Sequence, residues 1–427
     1  MRLGGRLAGA IEVLADIETR RRPVADALKD WGLGHRFAGS ADRAAIGNIV
    51  YDALRKKLSH AWLMQDDSAL ALGHAVMYRQ WGLSPEQLAG ELDGDKFAPP
   101  SLPAETLAAF LGGDLARAPD HVRADIPEWL VAGFKTNFGD RWLLEAEALS
   151  GRPTLDLRAN TLKSTRDKVI RALERSSAVA APIARQGIRI PAGEGPSRLP
   201  NVTAELSFQK GWFEVQDEGS QIVADLVSPE EGDQVLDFCA GGGGKTLAMA
   251  AQMANKGQIH AYDVDRQRLH PIIERLKRAG TRNVQVHDRL DGIATARFDR
   301  VLVDAPCTGS GTWRRRPDTK WRLTEKNLDE RCQQQAAVLD QASAHVKPGG
   351  MLAYVTCSVL PQENEERVSA FLAGHGDFEQ VNALEIFDRI FGNQPLRPLS
   401  RDGHCLTLTP ASTGTDGFFF AMLRRKA

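Results

Sequence analysis

Up to roughly residue 120, apolar side chains recur every three or four positions, the period of a helix with one buried face. In SADRAAIGNIVYDALRKK, Ile46, Ile49, Val50, Ala53 and Leu54 fall on one stripe, and Ser40 or Asp42 stands where a helix start is capped. RLAGAIEVLADI and SLPAETLAAFLGG follow the same period, and no strand is expected before Pro127. The pattern then changes. IPEWLVAGFKTNFGDRWLLEAEAL predicts one or two helices, TLDLRANTL alternates as a strand does, and STRDKVIRALERS predicts a helix opened by a Ser-Thr cap. Short strand-like pieces and Gly/Pro turns continue to GWFEVQDEG, which together predict a small α+β domain.

After Gly219 strands and helices alternate. Strands are expected at QVLDF, QIHAYDV, VQVHD, FDRVLVDAP and MLAYVTC. Helices fall after the glycine turn and over RQRLHPIIERLKRAG, CQQQAAVLDQASAHV and ENEERVSAFLAGH. CLTLTP and GFFFAMLRR predict a terminal hairpin. Such alternation predicts a mostly parallel, doubly wound α/β sheet, whose ligands lie beyond the carboxyl ends of the strands where strand order reverses. The expected division is residues 1–122 all-helical, 123–215 small α+β, and 216–427 the doubly wound domain.

Composition narrows the partners. The net charge of −1 advertises no polyanionic partner for the chain as a whole, so a nucleic-acid surface has to be a local patch. Cys239, Cys307, Cys332, Cys357 and Cys405 are odd in number and never spaced as CxxC. That spacing disfavours a disulfide framework or a structural metal site and fits a reducing cytoplasm. Glu12 and Asp16 interrupt the apolar N-terminal stretch, so no signal peptide is expected, and no window is long and apolar enough to span a membrane. No metal and no obligate protein partner is implied.

DFCAGGGGKT, Asp237 to Thr246, has the look of a phosphate cradle. The P-loop pattern, however, needs a glycine five residues before the one preceding its lysine, and Cys239 stands there. G-x-G-x-x-G fails at Thr246. What remains is a nucleoside ligand without a pyrophosphate. Asp263 ends the second strand, where a carboxylate accepts ribose hydroxyls, and Asp288 ends the third, within reach of an adenine amino group. This is the site logic of S-adenosyl-L-methionine.

Two cysteines sit on the same sheet edge: Cys307 in VLVDAPCTGSGTW and Cys357 in LAYVTCS. Turns at such positions offer backbone N–H groups that lower a thiol pKa. A thiolate beside a methyl donor suits a substrate carbon that must first be made nucleophilic, as carbon 5 of cytosine must. Addition at carbon 6, with a proton supplied at ring nitrogen 3, achieves this. Asp304 is placed to hold the ring nitrogen.

DFCAGGGGKT, DAPCTGSGTWRRRPDTKW and YVTCSVLPQENEERV together resemble the signature motifs of the RsmB/Nop/Sun family of RNA (cytosine-5) methyltransferases, over roughly Ile126 to the C-terminus. The resemblance implies a Rossmann-like methyltransferase domain with Cys357 as nucleophile and Cys307 assisting release. It implies cofactor contacts from Cys239, Ala240, Gly241, Gly242, Gly243, Gly244 and Lys245, and from Asp263, Asp288 and Asp304. The family usually reads C-A-A-P-G-G-K-T, whereas Gly241 and Gly242 replace its second alanine and its proline here. The helical N-terminus is similar to the NusB-like domain of the bacterial RsmB branch, which acts on small-subunit ribosomal RNA. The LRANTLKSTRDKVIRAL segment looks like the family's RRM-like domain, without the aromatic signature of a free RNA-binding module.

For RNA, WRRRPDTKWR offers Arg314, Arg315, Arg316, Lys320 and Arg322 to phosphates and Trp313 or Trp321 to bases. Arg158, Lys163, Arg166 and Lys168 extend the track. Transfer RNA or large-subunit RNA is the alternative substrate. The rivals are a DNA cytosine-5 methylase, which draws its nucleophile from the Pro-Cys motif, a non-catalytic RNA-binding assembly factor, and an NTPase.

Overall fold

A computed structural model describes residues 1–427. The chain forms two compact units: Met1–Pro153 with Ala192–Leu199 and Trp313–Leu323, and the remainder. No helix is long and apolar enough to cross a membrane.

The first unit is helical throughout. Helices Leu3–Arg20, Ser40–Arg55 and Ala69–Arg79 bury the expected stripe, with Ile46, Ile49, Val50 and Ala53 packed on Leu7, Val13, Leu14, Leu72 and Val76. Asp42 supplies the cap by accepting from the Gly39 N–H at 3.2 Å, while Ser40 is already inside the helix. This compact unit runs on through Val131–Phe138 and Trp142–Ala148 to Pro153. Phe134 is fully buried and stacks on Trp313 with ring centroids 6.0 Å apart, which ties this segment in.

The second unit holds two sheets. The small one comprises β1 (Leu155–Ala159), β2 (Val179–Ala180), β3 (Gly187–Ile190) and β4 (Phe213–Val215), antiparallel in the order β2-β3-β1-β4. Leu157, Val169, Leu173, Ile188, Ile190 and Phe213 form its core, with helix Arg166–Ala172 supplying Val169. Thr165 caps that helix by accepting from the Lys168 N–H.

The large sheet contains β5 (Gln234–Asp237), β6 (Gln258–Tyr262), β7 (Val284–His287), β8 (Phe298–Asp304), β9 (Val346–Thr356), β10 (Phe378–Val381), β11 (Cys405–Leu408) and β12 (Phe418–Arg425). Strands β5 to β9 are parallel and β10, β11 and β12 pair antiparallel, in the order β10-β12-β9-β8-β5-β6-β7 with β11 beside β12. Strand order reverses between β5 and β8, so a crevice opens beyond their carboxyl ends.

Period-two alternation divides the side chains between two cores. Val235, Leu302, Ala353, Val355, Phe418 and Phe420 face helices Glu218–Leu226, Gly244–Gln252 and Ala383–Phe391. Leu236, Val301, Val303, Leu352, Tyr354 and Phe419 face helices Glu325–Ser343 and Glu365–Gly374. Both faces are therefore covered, as a parallel sheet requires. The expected helix over RQRLHPIIERLKRAG is interrupted at Pro271, leaving Arg266–Leu269 and Ile272–Ala279.

Truncating a side chain fully enclosed by this packing leaves a cavity. Phe420→Ala is expected to lower stability by about 3–5 kcal/mol, against less than ~0.5 kcal/mol for Val264→Ala at an exposed position. Chemical denaturation of both variants checks the contrast.

Candidate active site

The glycine turn leaves β5 at Asp237 and delivers the chain into helix Gly244–Gln252. Gly243 has φ +79°, and a Cβ there would lie 2.4 Å from the Ile272 side chain, so the turn closes only around glycine. Gly241, which replaces the family's alanine, has φ +49° and donates its N–H to Asp263 Oδ2 at 2.9 Å. Beneath the turn, Thr246 Oγ1 donates to Asp237 Oδ2 at 2.6 Å, and Asp237 Oδ1 is buried with no partner. Burial pushes the Asp237 carboxyl up to about 7. Cys239, ahead of the turn, is also driven upward by burial, so it is a neutral wall.

The expected carboxylates stand at successive strand ends. Asp263, just past β6, is almost fully buried, and its Oδ1 accepts from the Asp265 N–H at 2.8 Å. Two accepted N–H bonds leave a carboxylate with lone pairs to spare for hydroxyl donors. Asp288, just past β7, is exposed and pairs with Arg266 at 2.8 Å. Asp304 closes β8 and pairs with Lys245 Nζ at 2.6 Å, while Lys245 lies 5.4 Å from the centre of the Phe418 ring. Lys245 is thus held against a carboxylate, an arrangement that suits a sulfonium ligand rather than phosphate. The glycine turn, the open lone pairs of Asp263 and the orphan oxygen of Asp237 fit a nucleoside carrying an amino acid group.

The two cysteines meet. Parallel pairing sets Asp304 opposite Val355, so the turns after β8 and β9 emerge side by side. Cys307 Sγ lies 3.3 Å from Cys357 Sγ. The sequence predicts lowered thiol pKa values in these turns, but Cys307 goes the other way. Its hydrogen bond with Cys357, followed by burial, holds it well above the ordinary thiol range. The two sulfurs are thus hydrogen-bonded to one another, either of them able to donate.

A polar network that sequence reasoning passed over locks these turns together. Ser310 Oγ bonds Ser358 Oγ at 2.9 Å and accepts from the Val359 N–H at 2.9 Å. Gly311 N–H donates to the Cys357 carbonyl at 3.0 Å, and Gly417 N–H donates to the Gly311 carbonyl at 2.7 Å. A Cβ on Gly311 would lie 2.2 Å from the Gly417 oxygen, so the start of β12 rests directly on the Cys307 turn. Thr356 Oγ1 donates to Asn364 Oδ1 at 2.7 Å, and Asn364 Nδ2 donates to the Ser358 carbonyl at 3.0 Å. The only sequence signal for this network was the polar density of CTGSGT and TCSVLPQENE.

The expected RNA contacts divide. Lys320 is 1% exposed and donates to the Arg55 carbonyl and Ser150 Oγ, both at 3.2 Å. Trp321 Nε1 donates to the Leu54 carbonyl at 2.7 Å, and Arg314 is buried with its carbonyl accepting from Arg55 Nε at 2.8 Å. These three, with Trp313, therefore fasten the segment into the helical unit and do not present a surface to RNA. Arg315 is half-buried and Arg316 exposed. In the small sheet Arg158 is likewise internal, donating to Gln216, whereas Lys168 is exposed and lies 4.1 Å from the Trp212 ring centre.

A model of the family described as 16S rRNA methyltransferase RsmB/F matches residues 224–424, and a model of its ferredoxin-like domain matches residues 126–193. The ribosomal RNA small subunit methyltransferase B of Cronobacter sakazakii is 35% identical over 334 residues, spanning 75% of this chain and 70% of that protein. Among solved structures, that of PH0851 superposes with TM-score 0.75 at 25% identity over the whole of both chains. A methyltransferase homolog protein from Pyrococcus horikoshii gives TM-score 0.59 at 27% identity, covering 72% of this chain and 97% of that one.

Burial pushes the Lys320 ammonium down to about 7, partly offset by Asp125. Between that value and the ordinary lysine pKa, the unfolded chain holds a proton the native protein lacks. Stability should then rise with pH from about 7 towards 10, by at most ~1.4 kcal/mol per pH unit. Lys320→Met is expected to abolish this rise and leave RNA affinity unchanged. Melting temperature against pH and a binding titration check both halves.

Proposed function

The chain belongs to the RsmB/F family of 16S rRNA methyltransferases, and from that premise we propose that it methylates carbon 5 of one cytosine in RNA through a covalent Cys357 adduct. The observation that carries this reading is the 3.3 Å approach of Cys307 and Cys357 at the carboxyl edge of the sheet, beside Asp304. The residues that would hold S-adenosyl-L-methionine are Cys239 to Lys245, Asp263, Asp288 and Asp304. When bound, it supplies an electrophilic sulfonium methyl.

Cys357 Sγ adds to carbon 6 while Asp304 holds the ring where nitrogen 3 takes a proton, leaving carbon 5 enamine-like. Once carbon 5 carries the methyl, a solvent base takes its proton, the C–H electron pair restores the carbon 5–carbon 6 double bond, and the carbon–sulfur bond breaks with its pair leaving on Cys357 Sγ, while nitrogen 3 gives up the proton it took. Cys307, 3.3 Å away, gives the departing sulfur a proton and regains one from solvent. A paired base cannot reach a pocket at the end of the sheet, so the target is unpaired or flipped out. Arg315, Arg316 and Lys168 are proposed to meet the RNA backbone, with Trp212 as a stacking face.

Within RNA, the 16S ribosomal species is favoured because the matching family is described by it and the relative's name specifies small-subunit ribosomal RNA. The DNA methylase reading would make Cys307 the nucleophile and gives Cys357 no part, yet Cys357 Sγ stands 3.3 Å from Cys307 Sγ. The NTPase reading is disfavoured by the Lys245–Asp304 pair.

Cys357→Ala is expected to abolish methylation and adduct formation. Cys307→Ala should form the adduct and accumulate it, visible as a protein–RNA band on a denaturing gel. Methylation surviving in Cys357→Ala, with adduct lost in Cys307→Ala, would assign the roles the other way. Bisulfite sequencing of total RNA with and without the gene should reveal one cytosine, in 16S RNA, that loses its protection.

A further inference from the structure

Glu363 ends the short 3-10 turn Pro361–Glu363 that follows the Cys357 loop, and none of its side chain is exposed. Three donors converge on its carboxylate. Thr308 N–H reaches Oε1 at 2.8 Å, Thr308 Oγ1 reaches Oε2 at 2.5 Å, and Gln335 Nε2 reaches Oε1 at 2.9 Å. Gln335 Nε2 also donates to the Pro306 carbonyl at 3.0 Å. Of the residues on either side of Cys307, Thr308 is therefore held by this carboxylate directly and Pro306 through Gln335. Tyr354 fixes that carboxylate in turn, its hydroxyl donating to the Glu363 carbonyl at 2.7 Å from within β9. A buried carboxylate with three donors is costly to disturb, because removing it strands two or more of them.

We propose that Glu363 is a positioning residue for product release: through Thr308 and Gln335 it holds the Cys307 sulfur against that of Cys357, where Cys307 returns a proton to the departing sulfur. The inference rests on the two-cysteine reading above. The bonds to Thr308 and Gln335 set where the Cys307 sulfur sits. The same carboxylate adds to the upward displacement of the Cys307 thiol, after Cys357 and burial. Cys357 does not depend on this placement in order to attack, so loss of Glu363 should spare addition and slow elimination.

The test compares Glu363→Gln, which keeps the shape and removes the charge, with Cys307→Ala and the unaltered protein. All are incubated with S-adenosyl-L-methionine and a 16S RNA transcript. Glu363→Gln is expected to lower kcat by roughly tenfold or more, with KM for RNA unchanged and covalent protein–RNA adduct accumulating towards the Cys307→Ala level. A merely structural role would lower adduct and product together, and that result overturns the inference, as does turnover equal to that of the unaltered protein. Should Glu363→Gln not fold, as judged by its melting temperature, Thr308→Val removes only the hydroxyl donor to the same carboxylate. Adduct accumulation there supports the proposal and its absence refutes it. If Cys307→Ala itself accumulates no adduct, the two-cysteine reading fails instead.

Discussion

The parallel pairing of β8 with β9 is the constraint on which the site depends. Its register sets Asp304 opposite Val355, and three residues after Asp304 and two after Val355 the chain reaches Cys307 and Cys357. A slip of one position would turn one of the strands over, because side chains alternate between faces. Leu352 and Tyr354 would then face the wrong core, and so would Ala353 and Val355. Hydrophobic burial on two faces therefore fixes which residues meet at the sheet edge. The approach of the two sulfurs begins with core packing, and the polar contacts between the turns complete it.

Much of this was legible in the sequence because its signals are local. QVLDF, QIHAYDV, VQVHD and FDRVLVDAP each carry an apolar run bounded by turn residues, and all four are strands at those places. The failure of the P-loop pattern at Cys239 was enough to set phosphate aside, and Lys245 is found paired with Asp304. What escaped was long-range. β10 (Phe378–Val381) has too short a pattern to stand out, and its identity comes from pairing with β12, more than forty residues away. Glu363 and Gln335 look like surface polar residues on any helical wheel, and only the fold reveals that Gln335 and Thr308 converge on Glu363.

The WRRRPDTKWR segment shows why charge runs mislead. Five basic residues and two tryptophans suggest a nucleic-acid track, but three of the residues assigned to it are taken up inside the helical unit. Lys320 is buried because carbonyl and hydroxyl oxygens surround its nitrogen and Trp313 and Trp321 flank it, Trp321 with its ring centre 4.7 Å away. A sequence reveals that cations and aromatic rings are adjacent. It does not reveal whether they will face one another or a ligand, and here the first outcome prevails.

The position of β12 has its own consequence. It is the last strand in chain order, yet it lies between β9 and β10 in the sheet, and the residue just before it rests on the Cys307 turn. During synthesis the other strands of this edge emerge from the ribosome first and wait for this segment. A nascent chain halted between Cys357 and Gly417 carries both sulfurs but lacks the backbone contact under the Cys307 turn.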